Sequence, residues 1–372
     1  MTTTGPDALG APGHQFLGEE EPPASRPVVV TIATPLEPAL VARIADVDHR
    51  FDVRYEPDLL PPPRYPCDHR GSDTFHRSQQ QEERWANLLA EAEVLFGVPG
   101  DSAQGLAAAV RANPSLRWVQ GTAAGVGETV RQAQLSEQER ARVAITSAAG
   151  VHAGPLAEFA LFGLLAFTKG LPRLLADAEA RRWEHYPVGE LAGRTVLVVG
   201  LGGIGREVAR LATAFGMRVL AINRTGKAEG AEVDEVHPTS ALPDLMPRAQ
   251  AVVVTLPLTE ETEGLIDAAA IGRMPAGAVV VNVGRGGVID EPALIQALQD
   301  GRLAGAALDV FATEPLPVES PLWRLPNVVI SPHTAALSVH ENERIVALFS
   351  ENLRRYLRGD ALVNRVNPKL YY

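Results

Sequence analysis

Thr195-Val-Leu-Val-Val-Gly200-Leu-Gly202-Gly203-Ile204-Gly205 constrains this chain more than any other stretch. An apolar run of strand length feeds without a gap into Gly200-x-Gly202-x-x-Gly205, and such a run suits a parallel strand buried on both faces. Beyond it, Ile204, Val208, Leu211 and Phe215 recur at helical spacing, so a helix begins inside the motif. Gly200 permits a tight turn, Gly202 lets the backbone approach a pyrophosphate, and Gly205 lets helix and strand pack closely. The helix N-terminus presents free N–H groups and a positive dipole end to phosphates. A glycine-rich turn with no ligand is the competing reading, and the strand–turn–helix context argues against it.

With 372 residues there is room for about two to three domains. Strands are expected at Val28–Ala33, Phe51–Tyr55, Val94–Val98, Leu116–Gln120 and Val143–Thr146, with helices at Pro38–Val47, Gln79–Ala92 and Ala103–Ala112. A proline-rich stretch, 57–78, is too long for a plain connection and reads as an irregular loop with a possible function. It carries His69, Arg70, Phe75 and His76. Pro155–Ala178 reads as one long apolar helix connecting two domains. After Thr195 the alternation restarts, with strands at Arg218–Ile222, Ala251–Leu256, Ala278–Val283, Gly305–Val310 and Asn327–Ile330. A last helix, Ser338–Leu357, carries Ile345, Val346, Leu348, Phe349 and Leu353 and is expected to fold back on the first domain. Alternating strands and helices imply parallel sheets covered on both faces. The expected fold is α/β, two doubly wound domains with a cleft between them. Residues 1–26 are expected to form a disordered tail, 27–150 with 335–372 a substrate domain, and 151–334 a dinucleotide-binding domain.

The net charge of −11 disfavours nonspecific binding to nucleic acid or anionic membranes. One cysteine, Cys67, excludes an intrachain disulfide and a cysteine-based zinc cluster. It sits among prolines and reads as a bystander thiol, and no metal site is expected. The longest apolar stretch, Leu156–Leu171, is short and interrupted by Glu158 and Lys169. The first 26 residues lack the basic start and apolar core of a signal peptide, so a cytoplasmic protein is expected.

In doubly wound sheets, ligands sit beyond the carboxyl ends of the strands. Three polar segments fall there: Asn282-Val283-Gly284-Arg285-Gly-Gly, Leu308-Asp309-Val-Phe-Ala-Thr-Glu314-Pro and Ser331-Pro-His333-Thr-Ala. Singly, each has a bland reading: a surface ion pair for Arg285, a satisfied loop residue for His333, a solvated charge for Glu314. An arginine, an acid and a histidine arriving together at a cofactor edge form a catalytic proposition.

These segments, with Gly200–Gly205 and Gly150-Val-His152 ahead of Ala157-Glu158-Phe, resemble the D-isomer-specific 2-hydroxyacid dehydrogenase family over roughly residue 28 to the end. The resemblance implies a Rossmann nucleotide-binding domain and a flavodoxin-like substrate domain. It also implies that Arg285 binds the substrate carboxylate and polarises its carbonyl, that His333 is the acid–base, and that Glu314 is its partner. The dinucleotide would meet Gly200, Gly202, Gly203, Ile204, Gly205, Val283 and Gly284, and Asp309 would help shape the nicotinamide site. Leu256 and Pro257 resemble the adenine-side loop, with Thr262 a further contact. Ala124, Gly125 and Val126 resemble a loop whose N–H groups hold the substrate carboxylate, although Gly127 stands where the family usually has Asp, and a simple turn is the alternative. A homodimer is implied as well.

The chemistry agrees with that assignment. Reducing a 2-oxo acid needs a hydride and a proton, and a histidine supplies the proton near neutral pH. An arginine matches a carboxylate with a bidentate fork. Cofactor choice turns on the end of the second strand of the nucleotide domain, where an NAD enzyme carries Asp or Glu. Here the residues are Ile222-Asn223-Arg224-Thr225-Gly-Lys227. Asn223 can bond a ribose hydroxyl, while Arg224 and Lys227 suit a 2′-phosphate, so NADP is favoured over NAD; the alternative leaves both cations as solvated loop charges. The reading is reduction of a small 2-oxo acid, such as glyoxylate, hydroxypyruvate or a longer analogue, to the D-2-hydroxy acid. The rivals are a phosphoglycerate dehydrogenase and a dinucleotide-sensing protein like the corepressors built on this fold, which fold alone cannot separate.

Overall fold

The computed structural model describes residues 26–368, so the tail expected at 1–26 lies outside them but for Arg26. The described residues form two compact units, one of 26–147 with 345–368 and one of 148–344.

In the first unit the order is β1 (Val28–Ile32), α1 (Pro38–Ala45), β2 (Phe51–Arg54), α2 (Gln79–Glu91), β3 (Val94–Phe96) and α3 (Ala103–Ala112). Then come β4 (Trp118–Gln120), α4 (Val126–Gln132), α5 (Glu137–Arg142) and β5 (Ala144–Thr146). The strands form a parallel sheet in the order β2-β1-β3-β4-β5, which is the flavodoxin-like arrangement. Helices α4 and α5 escape a reading by apolar periodicity because both are short, yet Ser136 with Glu139 three positions on builds a full capping box at α5.

The 57–78 loop is tied down rather than loose. Leu59, Leu60, Cys67 and Asp68 are buried, and Arg64 pairs with Asp68 at 2.7 Å. That guanidinium holds the Asp68 carboxyl well below the usual carboxylate range. The tie is therefore present above that range and is lost only as pH falls through the lowered value. Thr34 Oγ1 donates to the His69 carbonyl at 2.9 Å, fastening the loop to the end of β1.

The second unit opens with α6 (Ala153–Thr168) and α7 (Leu171–Glu179). The single helix that the apolar run Pro155–Ala178 predicts is broken, its axis bending by 62°. Gly170 takes the left-handed conformation, φ +69°, and Pro172 occupies the first turn of α7, so the i→i−4 ladder cannot continue. Among the described residues no single helix is long and apolar enough to cross a membrane. The chain continues as β6 (Thr195–Val199), α8 (Gly203–Ala214), β7 (Arg218–Asn223), β8 (Glu235–Pro238), α9 (Leu242–Leu245), β9 (Ala251–Val254) and α10 (Ala268–Arg273). It ends with β10 (Ala278–Asn282), α11 (Glu291–Gln299), β11 (Leu303–Leu308), β12 (Val328–Ile330) and α12 (Glu341–Arg358).

All seven strands of the second sheet are parallel, in the order β12-β11-β10-β9-β6-β7-β8. Strand β8 leaves no apolar run in the sequence because an edge strand of Glu235-Val-His-Pro buries too little to need one. Along β6, Leu197 and Val199 enter one core while Val196 and Val198 enter the other. Burial of both faces explains why this strand is apolar at every interior position.

From Ile345 onward α12 belongs to the first unit. Phe349 is fully buried, with its ring 5.0 Å from that of Phe96 and 4.9 Å from that of Trp118. Asn352 adds to the attachment, its Nδ2 donating to Gln120 Oε1 on β4 at 3.4 Å.

Candidate active site

The strand order reverses between β6 and β9, the crevice where doubly wound sheets bind nucleotides. Gly200 ends β6 at φ +107°, which only glycine holds without strain. Its carbonyl accepts from Thr255 Oγ1 at 2.7 Å, so the β9 end braces the turn. A Cβ on Gly205 would lie 1.9 Å from that same carbonyl oxygen, which is why the motif's last glycine has no substitute. Gly202 faces open space, and no side chain caps α8. The first-turn amides of Gly203, Ile204 and Gly205 thus receive no side-chain oxygen from the N-cap residue, and the turn fits a pyrophosphate.

At the end of β7, Asn223 spends most of its side chain on its own loop. Its Oδ1 accepts from the amides of Thr225 (3.1 Å) and Gly226 (2.6 Å), and its Nδ2 donates to the Lys227 carbonyl at 2.8 Å. What remains for a ribose hydroxyl is one amide hydrogen. Arg224, Thr225 and Lys227 are exposed on this loop. Thr262 likewise closes its own loop, donating to the Pro257 carbonyl at 2.7 Å while accepting from the Thr259 amide.

Strands β10, β11 and β12 end level, with Asn282 opposite Leu308 and Leu308 opposite Ile330. Beyond that line the three polar segments meet. Buried Asn282 brackets the first, its Oδ1 accepting from the Gly284 amide and its Nδ2 donating to the Arg285 carbonyl, each at 3.0 Å. A Cβ on Gly286 would sit 1.9 Å from the Phe311 carbonyl carbon, so the Arg285 turn lies backbone-to-backbone against the segment that leads to Glu314. The Arg285 side chain is exposed, its Nη1 donating to the Gly284 carbonyl at 2.7 Å.

Asp309 is 1% exposed. One carboxylate oxygen accepts from Ser331 Oγ (2.6 Å) and from the amides of Thr334 and Ala335 (both 2.9 Å). Its carbonyl accepts from the His333 amide at 2.9 Å. These four bonds hold His333 at φ +56°, a left-handed conformation that costs a side-chain-bearing residue about 1 kcal/mol or more. Asp309 is thus seen organising the histidine loop. Glu314 Oε1 accepts from the Phe311 amide at 3.0 Å, and Oε2 lies 2.7 Å from His333 Nδ1. Because a carboxylate only accepts, Nδ1 carries the hydrogen and Nε2 is left for chemistry.

Ala124, Gly125 and Val126 lie in the first unit. Ala124 and Gly125 are exposed just ahead of α4, while Val126 is buried against Gly121. Three organising side chains were not singled out as site residues from the sequence: Thr255, Asn282 and Arg206. For Asn282 a signal existed, since Asn two residues before Gly marks a side-chain-closed turn. For Thr255 and Arg206 none did, because their partners are distant in the chain or in an irregular loop. Among the described residues, no group of three or more His, Cys, Asp or Glu side chains is arranged to hold a metal ion.

Residues 161–335 match the model of the NAD-binding domain of D-isomer specific 2-hydroxyacid dehydrogenases. The glyoxylate reductase of Korarchaeum cryptofilum is 35% identical over 268 residues, 70% of this chain and 78% of that protein. The D-3-phosphoglycerate dehydrogenase of Mycobacterium bovis is 34% identical over 298 residues, 77% of this chain but 55% of that longer protein. Among solved structures, the D-isomer specific 2-hydroxyacid dehydrogenase from Xanthobacter autotrophicus Py2, in complex with NADPH and MES, is similar at a TM-score of 0.72 and 30% identity. That likeness covers 94% of this chain and all of that one.

Proposed function

Given that the chain belongs to the D-isomer-specific 2-hydroxyacid dehydrogenase family and is an NAD(P)-dependent oxidoreductase, we propose that it reduces a small 2-oxo acid to the D-2-hydroxy acid with NADPH. Glyoxylate, hydroxypyruvate and longer analogues are the candidates. The observation that carries the reading is the His333–Glu314 pair, with Nδ1 engaged and Nε2 left over, on a loop braced by buried Asp309.

In this reading the Arg285 guanidinium grips the substrate carboxylate and withdraws charge from the adjacent carbonyl oxygen. His333 Nε2 gives its proton to that oxygen as it becomes an alkoxide, and Glu314 stabilises the resulting ring orientation. The bound reduced nicotinamide supplies the hydride. In the first unit, the turn at Ala124, Gly125 and Val126, exposed at its first two residues, is carried as a backbone nest for a carboxylate.

The preference for NADP rests on what stands at the end of β7, where Asn223 replaces the acid of NAD enzymes and Arg224 and Lys227 follow on an exposed loop. The NADPH found in the X. autotrophicus relative supports it. Loss of nicotinamide absorbance should show kcat/KM for NADPH above that for NADH by about tenfold or more, the worth of one charge-assisted contact. R224Q should remove most of that margin. Preference for NADH, untouched by R224Q, refutes the cofactor reading and leaves the enzyme; a best rate with a phosphorylated 3-carbon acid moves the substrate to the phosphoglycerate class.

The homodimer is also carried as a proposal. Trp183 is 91% and Leu175 62% exposed, with Phe162, Leu174 and Val188 nearly half exposed. Apolar groups so exposed suit a protein partner. Light scattering at micromolar concentration should give twice the 39.7 kDa chain mass, and a monomer sinks it.

A further inference from the structure

We propose that Arg206 is a positioning residue that sets the preference for NADPH over NADH by holding the loop after β7 in its shape. This rests on the reading of that loop as the receiver of the 2′-phosphate.

Arg206 follows the last motif glycine and sits in the first turn of α8. Its guanidinium works mainly on backbone. Nη1 donates to the Glu229 carbonyl at 2.9 Å and to the Ala228 carbonyl at 3.3 Å. Its contact with the Glu229 carboxylate is longer, 3.5 Å, and that carboxylate is well exposed, so the ion pair itself contributes little. The held segment needs holding. Gly226, Glu229 and Gly230 all take positive φ, +65°, +47° and +82°, and Glu229 keeps that conformation only where its surroundings impose it. Asn223 secures the other end through the Thr225 and Gly226 amides and the Lys227 carbonyl.

The loop is therefore strung between a side chain on β7 and a side chain on α8, with Arg224, Thr225 and Lys227 riding between them. Recognition of a phosphate by long exposed cations depends on how well their backbone is placed beforehand, because ordering it on binding subtracts from affinity. With the hold removed, Arg224 and Lys227 remain in the chain, but the geometry that presents them together is lost. NADH makes no use of a 2′-phosphate site and should register little of this change.

Three variants and two readouts test the assignment. R206M removes every donor, R206K keeps the charge but loses the planar guanidinium whose Nη1 donates to both carbonyls, and R224Q removes a proposed phosphate ligand. R206M is expected to raise KM for NADPH about tenfold, to leave KM for NADH within about twofold, and to leave kcat at saturating NADPH unchanged. R206K should fall between R206M and the parent. Hydrogen exchange in residues 224–231, without cofactor, should quicken in both Arg206 variants and not in R224Q. The proposal is overturned if R206M weakens both cofactors equally, if R206K matches the parent, or if NADPH is lost while loop exchange is unchanged, since Arg206 would then act on the phosphate directly. Failure of the underlying reading looks different: the parent itself shows no NADPH preference and R224Q alters nothing.

Discussion

Replacing His333 by alanine is expected to lower kcat by about 10²- to 10⁴-fold, the usual worth of a positioned general acid, while leaving dinucleotide affinity within about twofold. The split follows from the geometry. Among the described residues the His333 ring is engaged by Glu314 alone, whereas the cofactor turn is built from β6, α8 and the Thr255 brace. Alanine also removes little from the fold, because the ring is 46% exposed. Steady-state rates with the best 2-oxo acid, beside NADPH titrations followed by nicotinamide fluorescence, separate the two quantities. An H333A enzyme that keeps its rate refutes the acid–base assignment; one that loses NADPH binding in parallel with rate shows that the histidine loop supports the cofactor site rather than the proton transfer.

The second large effect is expected at Arg285. R285Q keeps a polar amide but shortens the side chain and removes the charge and the fork. Losing charge-assisted contacts to a carboxylate costs roughly 1.5–3 kcal/mol, and losing charge stabilisation of the developing alkoxide costs about 2.7–4 kcal/mol by analogy with an oxyanion-hole donor. Together these predict a fall in kcat/KM of about 10³- to 10⁵-fold, with KM raised and kcat lowered at once. R285K, a point charge without the planar fork, should recover only part of it. Stability should stay within about 0.5 kcal/mol of the parent, because Arg285 is exposed and its turn is held by Asn282 and Gly286. A rise in KM with kcat intact would limit Arg285 to binding and remove it from carbonyl polarisation.

Much of this site is legible in one dimension. Turn glycines, a strand buried on both faces and a helix starting in the motif are consequences of local conformational preference and of apolar spacing, which each stretch carries by itself. The Gly200–Gly205 turn and the parallel strands around it were readable for that reason, as was the arrival of Arg285, Glu314 and His333 at strand ends. Where local signals compete, the reading fails: Gly170 and Pro172 break a helix that apolar composition alone runs through. A half-buried edge such as β8 gives no signal strong enough to see.

What the amino-acid sequence determined, then, was which elements form and which chemical groups stand at their ends. What only the tertiary structure decided is how those groups are held: Asp309 bonded to Ser331, Thr334 and Ala335, more than twenty residues on, Thr255 to Gly200, and Arg206 to the carbonyls of Ala228 and Glu229. Side-chain-to-backbone bonds of this kind have no period and no fixed spacing. They exist only once the sheet has brought distant segments within 3 Å or so of one another, the reach of a hydrogen bond.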